Sequence, residues 1–216
     1  MSARFRTWPL AMSVALLTGA LGAGAQTATA PKRSAAELMD VLMWNKEPIG
    51  GPFSLIDHTR RVKTDADFRG KWLLLYFGST YCPDVCPTDL HVIAQAVDQL
   101  GPAGDAVQPV FITVDPERDS AEHLAEYVAL FHPRLVGLTG DPAAISRAAS
   151  AYKVFYAKVP AAGTLEYSVD HTAFIYLVDP AGQYVGFFPP GTSAERLGQV
   201  LRQHLPSSNR ASPVAR

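Results

Sequence analysis

The chain has 216 residues, 48% of them hydrophobic and 18% charged, with 19 basic against 20 acidic side chains and a net charge of −1. Such a composition suits one globular domain with short tails and excludes wholesale disorder, collagen-like repeats and coiled coils. No long basic stripe is present to neutralise phosphates, so nucleic-acid binding is excluded too.

The first 25 residues have the three-part layout of a secretory leader: Arg4 and Arg6, an uncharged apolar run from Leu10 to Leu21, then Ala23-Gly24-Ala25. The run is short for a membrane span, which needs about 20 residues. Residues 1–25 therefore read as a signal peptide, or else as an uncleaved N-terminal anchor that associates the chain with a membrane. No cysteine follows the run, which argues against a lipoprotein. Either reading puts the domain outside the cytoplasm, periplasmic or on the outer face of the inner membrane. Without the leader, 17 basic and 20 acidic groups remain, a net charge of −3. Residues 26–48 read as a linker or arm: Thr27 to Arg33 is rich in Ala, Thr and Pro, and Leu38, Val41 and Leu42 have helical spacing.

The domain itself is expected over residues 49–205. A turn at Ile49-Gly50-Gly51-Pro52 leads into a short strand, Phe53 to Ile56, which Asp57 to Arg60 turns back towards Arg61-Val62-Lys63. Trp72 to Phe77 is a continuous apolar run of strand length, buried on both faces if it is a strand. Leu90, Ile93, Val97 and Leu100 then mark one face of a helix that Gly101-Pro102 stops. Val107 to Val114 is the next buried strand. Ser120 is a candidate N-cap for a helix through Leu124, Tyr127, Val128 and Phe131, ended by Pro133. Leu135 to Leu138 is a short strand, and Asp141-Pro142 opens a helix to about Ala151, with proline at its first position.

Lys153 to Val159 reads as extended, with Pro160 to Gly163 a loop or hairpin tip. Thr172 to Val178 reads as one strongly apolar strand. Pro180-Ala181-Gly182 turns it into Gln183 to Phe188, and Ser193 caps a last helix through Leu197, Val200, Leu201 and Leu205. Residues 206–216 read as a disordered tail. Strand–helix–strand–helix followed by a hairpin and a helix predicts an α/β fold of thioredoxin-like layout. Its mixed central sheet has helices on both faces, and an extra helix and strand follow the second crossover.

The only cysteines are Cys82 and Cys86, in Cys82-Pro83-Asp84-Val85-Cys86, between a buried strand and a helix. Pro87 is expected as the first helical residue, which makes the cysteine segment a tight loop or single turn. One helical turn would place its ends about 6 Å apart at Cα, close enough for a disulfide or a shared metal. Cys86 would sit at the positive end of the helix dipole, which favours its thiolate. Thiolates suit copper(I) or zinc, and copper(II) would call for an added imidazole.

Five of the six histidines have plain structural readings. His58 falls in a turn, His91 and His123 on exposed-looking helix positions, His132 at a helix end and His204 near the tail. His171 differs. Asp170-His171-Thr172 stands at the entry to the strand Thr172 to Val178, behind the pliable stretch around Pro160 to Gly163. In a thioredoxin-like sheet that entry lies beside the loop carrying the cysteines, so His171 would face both sulfurs.

With these residues in place, the chain resembles the Sco/SenC family of copper chaperones over about Ile49 to Leu205. The resemblance is carried by Ile49-Gly50-Gly51-Pro52-Phe53, Cys82-Pro83-Asp84-Val85-Cys86-Pro87, Val114-Asp115-Pro116-Glu117-Arg118-Asp119, Gly137-Leu138-Thr139-Gly140 and Asp170-His171-Thr172. It implies copper, as Cu(I) or Cu(II), held by Cys82, Cys86 and His171. It also implies a part in assembling the copper site of cytochrome c oxidase subunit II, by copper transfer, thiol reduction of the receiving cysteines, or both. Partners would be that subunit or another copper-accepting protein, and another periplasmic copper donor. Ser79 departs from the family, which commonly has an aromatic residue there, forming a wall beside Cys82. Asp115 and Asp170 would be structural or supporting positions.

A general periplasmic thiol-disulfide oxidoreductase of the same fold is the alternative. Such proteins usually have two residues between the cysteines and a proline facing them, whereas here there are three, and Asp170-His171-Thr172 holds the facing position. A peroxidase would want proline and threonine at fixed offsets that here hold Leu75 and Ser79. A closed zinc site normally takes four protein ligands, of which three are found. A purely structural Cys82–Cys86 disulfide would close a very small loop and gain little. In the transfer route no bond of a small substrate breaks, so the chain reads as a metallochaperone rather than an enzyme.

Overall fold

The computed structural model describes residues 48–160 and 167–205. The leader, nearly all of the arm, the tip of the 160–167 connection and the C-terminal tail lie outside them. A seven-stranded sheet runs in the order β2-β1-β5-β4-β3-β8-β9. Its strands are β1 (Ser54–Asp57), β2 (Val62–Thr64), β3 (Trp72–Gly78), β4 (Val107–Thr113), β5 (Val136–Thr139), β8 (Ile175–Val178) and β9 (Tyr184–Phe188). The central trio β5-β4-β3 is parallel, while β1, β2, β8 and β9 join antiparallel. This is the thioredoxin-like mixed sheet.

The period-2 alternation of β3 divides the core. Leu74 and Tyr76 face one layer with α1 (Val85–Asp98), α2 (Ala121–Ala129) and α4 (Ala194–His204). Leu73, Leu75 and Phe77 face the other, with α3 (Pro142–Ala151). In α1 the inward stripe of Leu90, Ile93 and Val97 is the one the sequence spacing predicts. Ser120, Asp141 and Ser193 each accept a hydrogen bond from the backbone N–H three residues on, fixing the starts of α2, α3 and α4. The β1–β2 turn closes on Asp57, whose Oδ1 accepts from the Thr59 and Arg61 N–H groups and the Thr59 hydroxyl.

Two expectations are corrected. Helix α1 begins at Val85, so Pro87 is its third residue and not its first. The first four helical N–H groups have no intrahelical partner, so proline loses nothing there. The apolar run Thr172 to Val178 is also not one strand. Residues 167–171 form β7 (Tyr167–His171), antiparallel to β6 (Tyr156–Pro160) in a separate two-stranded sheet, and only Ile175–Val178 enters the large one. Thr172 marks the break. Its N–H donates to the Phe155 carbonyl at 2.8 Å and its hydroxyl accepts from the Phe155 N–H at 3.1 Å, closing the base of the small hairpin.

Candidate metal centre

Cys82 follows a tight turn after β3. Its N–H donates to the Ser79 carbonyl at 3.1 Å, and the Ser79 hydroxyl accepts from the Tyr81 N–H at 3.3 Å. Ser79 thus shapes the turn and is itself buried, while the exposed aromatic ring here belongs to Tyr81. Thr80 anchors the turn more deeply. Its N–H and hydroxyl both donate to Asp119, a fully buried carboxylate that also accepts from the Thr113 hydroxyl at the end of β4. His123 completes this support: it hydrogen-bonds the Thr80 hydroxyl at 2.8 Å and stacks on Tyr81, so it is not the solvated helix residue its spacing suggests.

Cys86 is the second residue of α1 and has no solvent exposure, whereas Cys82 is half-buried. The Cys86 sulfur fits beneath the sheet because residue 78 is glycine. A Cβ there would lie 2.8 Å from Cys86 Sγ and 3.0 Å from Phe111. His171 ends β7, and its Nε2 is 3.1 Å from Cys86 Sγ. Its Nδ1 lies 3.2 Å from the Thr172 carbonyl. In the tautomer with its proton on Nδ1, that atom donates to the Thr172 carbonyl and Nε2 is free to bind a metal. The edge of the Tyr76 ring meets the imidazole at 6.2 Å and 89°.

One ligand atom from each of Cys82, Cys86 and His171 lies within 4.8 Å of the other two. Metal–sulfur and metal–nitrogen bonds of about 2.0–2.3 Å put donors of one ion up to about 4.5 Å apart. The three residues singled out from the sequence therefore converge, and the donor set fits copper. Among the described residues no other trio of His, Cys, Asp or Glu gathers in this way.

The charge sits differently from the expectation that α1 would ionise Cys86. A hydrogen bond from the Cys86 thiol draws Cys82 down to about 3, against the cost of its burial. Donating that bond, together with full burial, pushes the Cys86 thiol up. The helix dipole is outweighed because Cys86 lies wholly inside the protein, where an unpaired thiolate is costly.

The sequence reading overlooked two further neighbours. Asp89, three residues after Cys86 on α1, is buried, and burial pushes its carboxyl up. Tyr76 carries its hydroxyl inside the core, where neither it nor Asp89 Oδ2 has a close hydrogen-bond partner. An acid in the inward stripe beside Cys86 was the available signal for Asp89. Asp115 is buried, in contact with Arg118 and the Tyr167 hydroxyl. His58, His91, His132 and His204 take no part in the trio: His58 Nδ1 accepts from the Gly137 N–H, and His204 lies against Trp72.

Residues 43–206 match the profile of the family described as SCO1/SenC. The chain belongs to the SCO1/SenC family. The human protein named SCO2 homolog, mitochondrial, is 42% identical over 197 residues, which cover 88% of this chain and 74% of that one. The human SCO1 homolog, mitochondrial, is 40% identical over 189 residues, 87% of this chain but 63% of its own length. A crystal structure of Arabidopsis thaliana ScoI with copper bound matches with a TM-score of 0.69 and 42% identity, covering 72% of this chain and 96% of that one. Among the described residues of this SCO1/SenC member, no helix is long and apolar enough to cross a membrane.

Proposed function

We propose that this chain is a copper chaperone that takes up copper at Cys82, Cys86 and His171 and passes it to cytochrome c oxidase subunit II or another copper-accepting protein. The observation that carries the reading is the convergence of two sulfurs and one imidazole nitrogen within 4.8 Å. Two thiolates are soft donors suited to copper(I), and an imidazole adds affinity for copper(II). Copper is the cargo here. Cys82, half-exposed and held as a thiolate, offers the first sulfur to an incoming ion or an incoming partner thiolate. Cys86 gives up its proton as it binds, and His171 already presents Nε2. A partner that brings its own thiolates can then displace these donors one at a time, beginning from the exposed side.

The asymmetry of the two cysteines also favours a second task, reduction of a partner's disulfide. Cys82 thiolate attacks one sulfur of that disulfide and releases the other as a thiolate. Cys86, deprotonated, then attacks the mixed disulfide. The partner leaves with both cysteines reduced and this chain retains a Cys82–Cys86 disulfide. The reading further includes export, with the domain periplasmic or held to a membrane by its N-terminus, and loading by another copper donor. Residues 1–25 are its support, as the two human relatives are named mitochondrial.

Titration of the reduced full-length chain with copper(I) and copper(II) tests the proposal. One equivalent of each, with thiolate-to-copper(II) charge-transfer absorption, is the expected result. No uptake of either ion, with rapid reduction of unrelated protein disulfides, overturns it in favour of a general oxidoreductase.

A further inference from the structure

The segment Val114-Asp115-Pro116-Glu117-Arg118-Asp119 is a motif to which the donor trio gives no task. Arg118 stands where three parts of the chain meet. Its Nε donates to Oδ2 of Asp115, whose side chain has no solvent exposure, and its Nη1 donates to the Tyr167 carbonyl at 2.9 Å. The guanidinium carbon is 3.9 Å from the centroid of the Tyr167 ring and 4.4 Å from that of Tyr81. The Tyr167 hydroxyl returns to Asp115 Oδ1 at 2.8 Å, closing the cluster. Tyr81 immediately precedes Cys82, and Tyr167 opens the strand that ends on His171. One planar cation therefore touches both the segment with the sulfurs and the hairpin with the nitrogen.

Tyr156 and Val169 pack that hairpin against the core, and its remaining ties are made by side chains. Among the described residues β6 and β7 pair only with each other, so no ladder hydrogen bonds tie them to the central sheet. Lys158 of β6 does reach Glu117, but both side chains are largely exposed, and pairs of that kind contribute little. Arg118 is less exposed and engages a buried carboxylate, a backbone carbonyl and two rings at once. A guanidinium can stack on aromatic faces while holding a carboxylate, which an ammonium cannot do in the same way.

We propose that Arg118 is a positioning residue that fastens the His171 hairpin to the cysteine segment, holding the imidazole at the two sulfurs before any metal arrives. Its consequence for metal uptake rests on the copper reading above; the fastening itself does not.

Amide hydrogen exchange of the reduced, metal-free, full-length chain tests this, comparing the wild type with Arg118→Lys, which keeps the charge but loses the flat stacking face. Tyr81→Leu, at a half-exposed position, removes one ring and leaves the Asp115 pair intact. In both variants the amides of 156–159 and 167–171 are expected to exchange faster, by about tenfold in Arg118→Lys, with β3 and β4 within about threefold of wild type. Copper(II) affinity should fall about tenfold in Arg118→Lys while copper(I) affinity stays within about threefold. Hairpin exchange at the wild-type rate in both variants overturns the proposal. So does loss of protection in β3 and β4 in step with the hairpin, which would make Arg118 a residue of general stability. A wild-type chain that takes up no copper while its variants loosen as expected would overturn the copper reading and leave the fastening standing.

Discussion

Cys86 and His171 are 85 positions apart in the chain, yet Cys86 Sγ and His171 Nε2 lie 3.1 Å from each other. One is the second residue of a helix and the other the last residue of a hairpin strand, so neither local segment could create the site alone. The sulfur is fixed by burial and the nitrogen by its hairpin. Different substitutions should therefore separate their contributions.

Replacing His171 with alanine is expected to weaken copper(II) binding by about 100-fold, with a smaller effect on copper(I), because both thiolates remain. Cys82→Ser or Cys86→Ser should abolish tight copper(I) binding. Competition titration against a chelator of known affinity reads each case. Unchanged copper(II) affinity in His171→Ala would remove His171 from the ligand set.

The two cysteines should differ in reactivity. With Cys82 drawn down from an ordinary value of 9.0 to about 3, its alkylation by iodoacetamide should stay nearly level from about pH 8 to pH 5. An ordinary thiol would slow about tenfold per unit over the same range. Cys86, buried and protonated, should lag behind throughout. Peptide mapping by mass spectrometry distinguishes the two sites. The linked stability has a definite sign: a lowered thiol favours the folded state fully above pH 9 and loses that contribution as pH falls towards 3. The stability gap between the wild type and Cys82→Ser should narrow on acidification, as read by urea denaturation at pH 8 and pH 5.

Gly78→Ala puts a methyl 2.8 Å from the Cys86 sulfur and 3.0 Å from Phe111, so one of these buried neighbours must shift. Overpacking of this kind costs about 1–3 kcal/mol. The same substitution should lower copper(I) affinity, since the sulfur is the nearer of the two. Denaturation and metal titration of one sample check both effects, and a variant as stable as wild type would refute the crowding.

Asp119→Ala removes the acceptor for the Thr80 N–H, the Thr80 hydroxyl and the Thr113 hydroxyl. Leaving buried donors unpaired costs about 1–3 kcal/mol for each group, so a loss of about 3 kcal/mol is expected. Chemical denaturation measures it.

The order of strands and helices was legible because each buried strand is an apolar run and each helix carries a 3.6-residue stripe. The capping residues Ser120, Asp141 and Ser193 were legible for the same local reason. The donor trio was legible from two closely spaced cysteines and one histidine in a fold whose loops meet. What stayed hidden depends on long-range contact. Nothing local tells that Thr172 breaks its apolar run, because the break is made by its bonds to Phe155. The ionised cysteine was misjudged because helix position is local, while burial is a property of the finished core. His123 looked solvated until Thr80 and Tyr81 were brought against it.

The small two-stranded sheet has a consequence for how the protein can change. Because β6 and β7 add no rung to the seven-stranded sheet, their displacement would leave the pairing of the large sheet undisturbed. The nitrogen donor's share of metal affinity can then vary with little effect on the melting temperature, unlike the share of the sulfurs, which are built into the core. Selection or engineering can retune the nitrogen donor through residues 156–160 and 167–171 while the scaffold that carries the sulfurs keeps its resistance to heat.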